Sequence, residues 1–295
     1  MMDDPPTVPQ RPAGIPPTPP PVQPYDPFAP EPAPSAPAAP PPGEWVPVAP
    51  ASRKRRGTTF YDVVFILDLA WLGLNGLGNV LLYLLSFIMQ DFLVDLADQA
   101  GGGSPGTMWF NNIHNLVTMG IIPFVWVVGT RVGGLTGALT YLHMQPERFV
   151  RGLGEGVILG LGLLVVILPL LFILEALGVP MDDGLGGERF LGITIPLVIA
   201  TSLIAGVAEE ILFRGILQRW VGVLGQAVLF GLFHLLAGWI ALVVTGLVGV
   251  VFGYAVRRGY SLWTVIVAHV FYDLVLLGWT YYDEQQATSG VGFGW

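Results

Sequence analysis

The chain has 295 residues, of which 53% are hydrophobic and only 12% are charged, and its mean hydropathy is +0.65. Soluble domains carry about 25% charged residues, so the composition excludes an ordinary soluble protein and predicts an integral membrane protein. The net charge of −8, with no basic stripe, argues against a nucleic-acid binder, and the lack of cysteine excludes disulfides and thiolate metal ligands.

The first 52 residues form a proline-rich segment with few of the apolar residues that a core requires. They are predicted to be a disordered cytoplasmic tail, for which a plain tether is the simpler interpretation and a PxxP-binding partner the alternative. The basic run 53–56 follows directly, before apolar sequence begins. Such runs usually stay in the cytoplasm, so the N-terminus is predicted to lie inside.

From Phe60 onward the sequence predicts an all-α, polytopic transmembrane helix bundle with about seven spans, because about 20 apolar residues cross a bilayer core of some 30 Å. The predicted spans are 60–89, 110–130, 154–177, 190–209, 223–237, 239–256 and 262–282. Most arginines between these spans fall on the side of the tail. The positive-inside rule therefore predicts a multi-pass protein of the cell membrane with an external C-terminus.

Six ionisable residues lie inside or beside apolar sequence in the last third of the chain. They are Glu209, Glu210, Arg214, His234, His269 and Asp273. One charge at mid-bilayer costs roughly 2.5–3.5 kcal/mol on insertion scales, so several unpaired charges would offset much of a protein's stability. We therefore expect these side chains to converge on one another, on a metal or on water, and to form a functional site.

The spacing of these residues divides them into pairs. Glu210 and Arg214 are four residues apart, one helical turn, and are predicted to form an ion pair. Glu209 lies about 100° around the same helix and is left to face a different surface. His269 and Asp273 are also four apart, a spacing shared by metal-ligand pairs and hydrogen-bonded catalytic pairs. By contrast Asp62 and Asp68, near the entry of the first span, are interpreted as structural.

Taken in order, the motifs resemble those of the CPBP family, the CAAX proteases and bacteriocin-processing enzymes also called Abi proteins. The family pattern is Glu-Glu-x-x-x-Arg, Phe-x-x-x-His and His-x-x-x-Asn/Asp, and it is matched by Glu209-Glu210…Arg214, Phe230…His234 and His269…Asp273. The resemblance divides the chain into the tail 1–52, a basic anchor with two spans at 53–150, a protease-like core at 151–282 and a short C-terminal tail at 283–295.

The resemblance implies a role for each matched residue. Glu209 would be the base that activates water, and His234 would hold that water or share its proton. His269 and Asp273 would face the scissile carbonyl from the other side. The supporting residues would be Glu210, Arg214 and Phe230.

Two mechanisms remain open at this stage. Glu209, His234, His269 and Asp273 together make a reasonable nitrogen and oxygen ligand set for zinc, which would make the protein a metalloprotease. Alternatively, the family pattern favours a metal-free mechanism, in which Asp273 can donate a hydrogen bond to an oxyanion only when it is protonated. No cofactor is required by the sequence.

The predicted function is that of an intramembrane endopeptidase acting on membrane-associated, including prenylated, peptides or proteins. One alternative is a non-catalytic family member that binds and regulates another membrane protein. A second is a proton-coupled transporter that uses the cluster as a relay, although the sequence lacks the internal repeat that transporters usually show.

Overall fold

The computed structural model describes residues 58–99, 104–131, 133–179 and 192–289, and within these ranges the regular structure is entirely helical. This confirms the predicted all-α bundle. The predicted tail 1–52 and the basic run 53–56 lie outside the described residues. The α-helices are, in chain order, α1 (Phe60–Gln99), α2 (Pro105–Asn115), α3 (Ile122–Thr130), α4 (Gly134–Tyr141), α5 (Phe149–Ala176), α6 (Ile195–Glu210), α7 (Gln218–Phe233), α8 (Trp239–Arg257) and α9 (Leu262–Ser289).

Six stretches of the described chain are long and apolar enough to cross a membrane, which makes the protein a multi-pass membrane protein. They are Phe60–Ser86, Pro105–Thr130, Gly134–Ala176, Ile195–Phe233, Trp239–Arg257 and Leu262–Gln286. The first predicted span, 60–89, ends where the dihedrals of Met89 (φ −132°, ψ 34°) leave the helical region inside α1.

The count of six differs from the predicted seven because the predicted fourth and fifth spans lie on one stretch, Ile195–Phe233. A straight helix of that length would measure about 58 Å, almost twice the hydrocarbon thickness. The stretch is not straight, since Gly222 adopts φ 75° and ψ 179°, a conformation that favours glycine. The chain is therefore broken between the two predicted spans.

Contacts between helices show that α6 and α7 run in opposite directions. On α6, Gly206 lies against Val270 of α9, while the earlier residue Leu197 belongs to a cluster with the later residue Leu277, so these two helices are antiparallel. Helix α8 joins α9 by a four-residue connection, 258–261, and is antiparallel to it. Helix α7 is antiparallel to α8, with Gly231 against Leu242 and Gly246, and Gln226 against Gly253. The break at Gly222 thus accompanies a reversal, which agrees with two spans, the second of them short.

Helix α9 packs between α5 and α6 and carries the third motif. Three glycines four residues apart on α5 allow the closest approach: a Cβ at Gly156 would lie 2.6 Å from the Thr264 carbonyl oxygen, and one at Gly160 would lie 3.0 Å from the Ala268 carbonyl oxygen. The third, Gly152, would place a Cβ 2.7 Å from Trp263 Cβ. Small residues at this spacing let membrane helices pack backbone to backbone. The glycine face therefore fixes the depth and rotation of α9.

Candidate active site

The predicted ion pair between Glu210 and Arg214 is present and completely buried. Arg214 Nη1 donates to Glu210 Oε1 at 2.7 Å, and the two residues are 0% and 1% exposed. The Arg214 guanidinium also lies over the Phe230 ring, 4.2 Å from its centroid, and 5.3 Å from that of Phe252. Aromatic faces favour a cation placed over them, so they contribute to holding this charge away from water.

Glu210 has a second partner that the sequence did not reveal. His269 Nδ1 lies 2.8 Å from the same oxygen, Glu210 Oε1. Glu210 Oε1 already accepts a hydrogen bond from Arg214 Nη1, and as an acceptor for the ring nitrogen too it places the hydrogen on His269 Nδ1. The Glu210–Arg214 ion pair therefore orients the His269 imidazole, whose Nε2 points away from Glu210.

His269 Nε2 faces the two carboxylates assigned to chemistry. It lies 3.4 Å from Asp273 Oδ2 and 3.9 Å from Glu209 Oε2. The Asp273 side chain is 20% exposed and that of Glu209 is 10% exposed, so Asp273 is the more open of the two carboxylates. Glu209 Oε2 has no hydrogen-bond partner within the described residues. Burying a carboxylate oxygen in this way is costly, and such an oxygen retains its full capacity to accept a proton.

His234 is half-buried, as Asp273 is, and has a defined tautomer. Its Nδ1 lies 2.8 Å from the Phe230 carbonyl oxygen, which can only accept, so Nδ1 carries the hydrogen and Nε2 is left free to accept one. The Phe230 ring neighbours the rings of both His234 and His269, so His234 lies beside the same cluster. The structure thus brings the four predicted catalytic residues to one place.

The Phe230 ring contacts His234, His269 and Arg214. Its ring centroid lies 4.8 Å from that of His234 and 6.0 Å from that of His269, and its other contacts are with Arg214 and Phe213. The ring is 2% exposed. The spacing Phe-x-x-x-His therefore serves two purposes, since the backbone of Phe230 fixes the His234 tautomer and its ring separates the two histidines.

Phe252 is a further site neighbour that the sequence analysis missed. Its ring lies 5.9 Å from that of His269 and is fully buried. It belongs to the sixth predicted span, which carries no ionisable residue. An apolar residue in an apolar span gives no sequence signal that distinguishes a site wall from a lipid-facing residue.

Local backbone geometry helps to set the angle between Glu209 and Arg214. Directly after Glu210 the helix widens into a π-helical segment, Ile211–Leu217, which carries Arg214. Such segments are rare and frequently occur at functional sites. Close by, a Cβ at Gly206 would lie 2.5 Å from Val270 Cγ2 and 3.2 Å from the Val270 backbone nitrogen, so α6 lies close to the α9 backbone one residue from His269. This approach brings Glu209 and His269 within reach of each other.

The donor geometry does not favour the zinc set that the sequence left open. Within the described residues, no three His, Asp or Glu side chains are arranged to share a metal ion. His269 Nδ1 is engaged by Glu210 and His234 Nδ1 by a carbonyl oxygen, so each histidine offers only Nε2. A histidine whose Nδ1 is hydrogen-bonded in this way can use Nε2 for a proton or for a metal ion.

Fold and cluster together define a class, a multi-pass helical membrane protein with a buried glutamate–histidine site. Residues 191–275 match the family model of the Rce1-like type II CAAX prenyl endopeptidases, which confirms the resemblance drawn from the motifs. The matched segment contains all six ionisable residues that the sequence analysis singled out. It covers less of the chain than the predicted core, 151–282.

A curated relative also matches. The uncharacterized protein YpbD of Bacillus subtilis (strain 168) is 28% identical over 96 residues, which are 32% of this chain. The chain spans about half the length of that relative, 51%. No solved structure matches the chain significantly.

Proposed function

We propose that this protein is an intramembrane endopeptidase that hydrolyses peptide bonds through a water molecule activated by Glu209. The observation that carries the proposal is the position of Glu209, whose Oε2 is buried without a hydrogen-bond partner in the described chain, 3.9 Å from an imidazole that Glu210 orients. A base needs an accessible proton acceptor and neighbours that stabilise the developing charge. The match to an endopeptidase family over 191–275 supports the same reaction class.

In the proposed reaction Glu209 removes a proton from water while the water oxygen attacks the scissile carbonyl carbon. His234, through Nε2, accepts a hydrogen bond from that water and fixes its position. The carbonyl oxygen becomes an oxyanion, to which an imidazolium Nε2–H of His269 or a protonated Asp273 donates. The proton on Glu209 then passes to the amide nitrogen as the C–N bond breaks, which leaves a carboxylic acid and an amine.

The proposed substrate is a peptide held at the membrane, including one that carries a prenyl group. Glu209 lies at the α6 end that meets the first part of α9, and the positive-inside rule predicts that this end is cytoplasmic. The N-terminus inside and the C-terminus outside belong to the same proposal. A lipid anchor would deliver the peptide at the depth of the cluster. The partner of the proline-rich tail remains a prediction.

Cleavage of matched peptides tests this function. The purified protein in lipid nanodiscs is given a fluorogenic CAAX-type peptide with a farnesyl group and the same peptide without it. We expect wild type and Glu175→Gln to cleave the farnesylated peptide, and Glu209→Gln to be slower by roughly a hundredfold or more. Glu175 is the matched control because it is an exposed glutamate near the end of α5. Equal rates for all three proteins would refute the role of Glu209.

The role of Asp273 is tested by Asp273→Asn together with metal removal. An amide can donate to an oxyanion but is a poor metal ligand, so the metal-free mechanism predicts activity within roughly tenfold of wild type. It also predicts no loss after dialysis against a strong chelator, with bound zinc measured in the same sample. Loss of activity on chelation, restored by zinc, would instead show a metalloprotease.

A further inference from the structure

A basic pocket lies at the end of the bundle where α5 and α9 begin, apart from the cluster described above. Its volume is about 380 Å³, within the range of pockets that hold small ligands. It is lined by Arg148, Arg151, Glu155, Arg258, Gly259, Tyr260 and Ser261. Three guanidinium groups thus face one carboxylate.

The carboxylate is already engaged, so the pocket keeps an excess of positive charge. Glu155 Oε1 accepts from Arg151 Nε, and Glu155 Oε2 accepts from the Thr264 hydroxyl at 3.0 Å. Arg148 donates through Nη1 to the Gly259 carbonyl oxygen at 3.3 Å, which ties α5 to the α8–α9 connection and leaves its other N–H groups available. Guanidinium groups bind phosphate oxygens through paired N–H donors. The excess positive charge and the guanidinium N–H donors of the pocket therefore favour binding of a phosphate group.

The position of the pocket relative to the membrane favours a lipid as the source of that phosphate. The connection 258–261 lies between two membrane-spanning helices, so the pocket opens at the membrane boundary. Exposed apolar side chains flank it on α5, with Phe149 40% and Val150 77% exposed, and the Trp263 ring packs edge-on against Phe149 at 5.0 Å. Aromatic rings of this kind are enriched at the level of lipid head groups.

We propose that this pocket binds the phosphate of an anionic glycerophospholipid, with the acyl chains lying against the exposed apolar face of α5. Basic pockets between transmembrane helices on the cytoplasmic side bind the head groups of anionic lipids. Ser261 lies about 12 Å along α9 from His269, so the lipid would contact none of the residues assigned to catalysis. The site is independent of the proposed peptidase activity.

Native mass spectrometry of the full chain, released from nanodiscs of mixed phosphatidylglycerol and phosphatidylcholine, tests the proposal. We expect one phosphatidylglycerol to be retained in preference to phosphatidylcholine. The double variant Arg148→Gln/Arg258→Gln should lose roughly tenfold or more of that affinity. Arg258→Gln and Arg257→Gln are the matched pair, since each removes one charge from neighbouring exposed residues, and Arg257→Gln, outside the pocket, should change affinity less than about twofold.

Two outcomes would overturn the proposal. The first is equal loss of phosphatidylglycerol in Arg258→Gln and in Arg257→Gln, which would show attraction by general surface charge. The second is displacement of the lipid by millimolar inorganic phosphate, which would show that the pocket takes a soluble phosphate. Thermal unfolding of each variant in neutral detergent checks folding, and we expect the melting temperatures to stay close to that of wild type, because the substituted side chains are exposed and only the Arg148 bond to Gly259 is lost.

Discussion

The first part of helix α1 and the end of helix α6 each carry two carboxylates in apolar sequence, and these pairs make different contacts. On α1, Asp62 accepts from the Thr59 backbone and hydroxyl and from Trp126 Nε1 at 3.0 Å, which is a helix-end arrangement. Asp68, 6% exposed, has an Oδ2 with no hydrogen-bond partner in the described chain. On α6, Glu210 joins Arg214 and His269 in one network.

The comparison shows that a buried carboxylate does not by itself define a site. Asp68 and Glu209 each have an oxygen without a hydrogen-bond partner in the described residues. What distinguishes Glu209 is convergence, because His269 Nε2 lies 3.9 Å from its Oε2 and both Asp273 and His234 belong to the same cluster. Sequence interpretation placed Asp62 and Asp68 among structural residues because they lie near the cytoplasmic entry of the first predicted span.

The largest expected effect follows from separating the ion pair. Arg214→Met leaves Glu210 charged and fully buried, and breaking a buried pair in this way costs about 3–5 kcal/mol. We expect a loss of this size in the free energy of unfolding, measured by denaturant titration in detergent micelles. The double variant Arg214→Met/Glu210→Met removes both charges and should recover most of the loss. If the single and double variants were equally unstable, Arg214 would act through packing alone.

A smaller effect is expected from filling the glycine face. Gly156→Ala places a Cβ 2.6 Å from the Thr264 carbonyl oxygen and from Val267 Cβ, so α9 must move, at a cost of about 1–3 kcal/mol. The control is Gly73→Ala on α1, where a Cβ would meet no atom within 4 Å and stability should not fall. Thermal unfolding of both variants in one detergent makes the comparison. Equal melting temperatures would mean that α9 is not held by this face.

The sequence predicted features that depend on near neighbours in the chain. The Glu210–Arg214 pair follows from helical spacing, and the predicted span ends fall within a few residues of Met89 and Gly222. The contact between Glu210 and His269 could not be predicted, because the residues lie on different helices, 59 positions apart. The glycines 152, 156 and 160 form a small-xxx-small pattern that is visible in the sequence, and the sequence analysis missed it. Phe252 gave no signal at all.

The smallest effect is expected at Asp68. Asp68→Asn removes an isolated buried carboxylate without breaking a hydrogen bond of its Oδ2, so the free energy of unfolding should stay within about 1 kcal/mol of wild type or rise. Peptide cleavage should be unchanged. Strong loss of cleavage by this variant would place α1 in the active site and end the contrast between the two helices.

The most direct test compares the two adjacent glutamates. Glu209→Gln and Glu210→Gln are made in parallel, and each is measured for cleavage of the farnesylated peptide and for the free energy of unfolding. We predict that Glu209→Gln loses activity by roughly a hundredfold or more, because it removes the base. Its stability should be unchanged or higher, because Glu209 Oε2 has no hydrogen-bond partner in the described residues that the substitution would break. Glu210→Gln should lose about 3–5 kcal/mol of stability, because it leaves Arg214 buried and unpaired. If Glu209→Gln cleaved the peptide as wild type does, or if both variants lost stability alike, the division into one chemical and one structural glutamate would be contradicted.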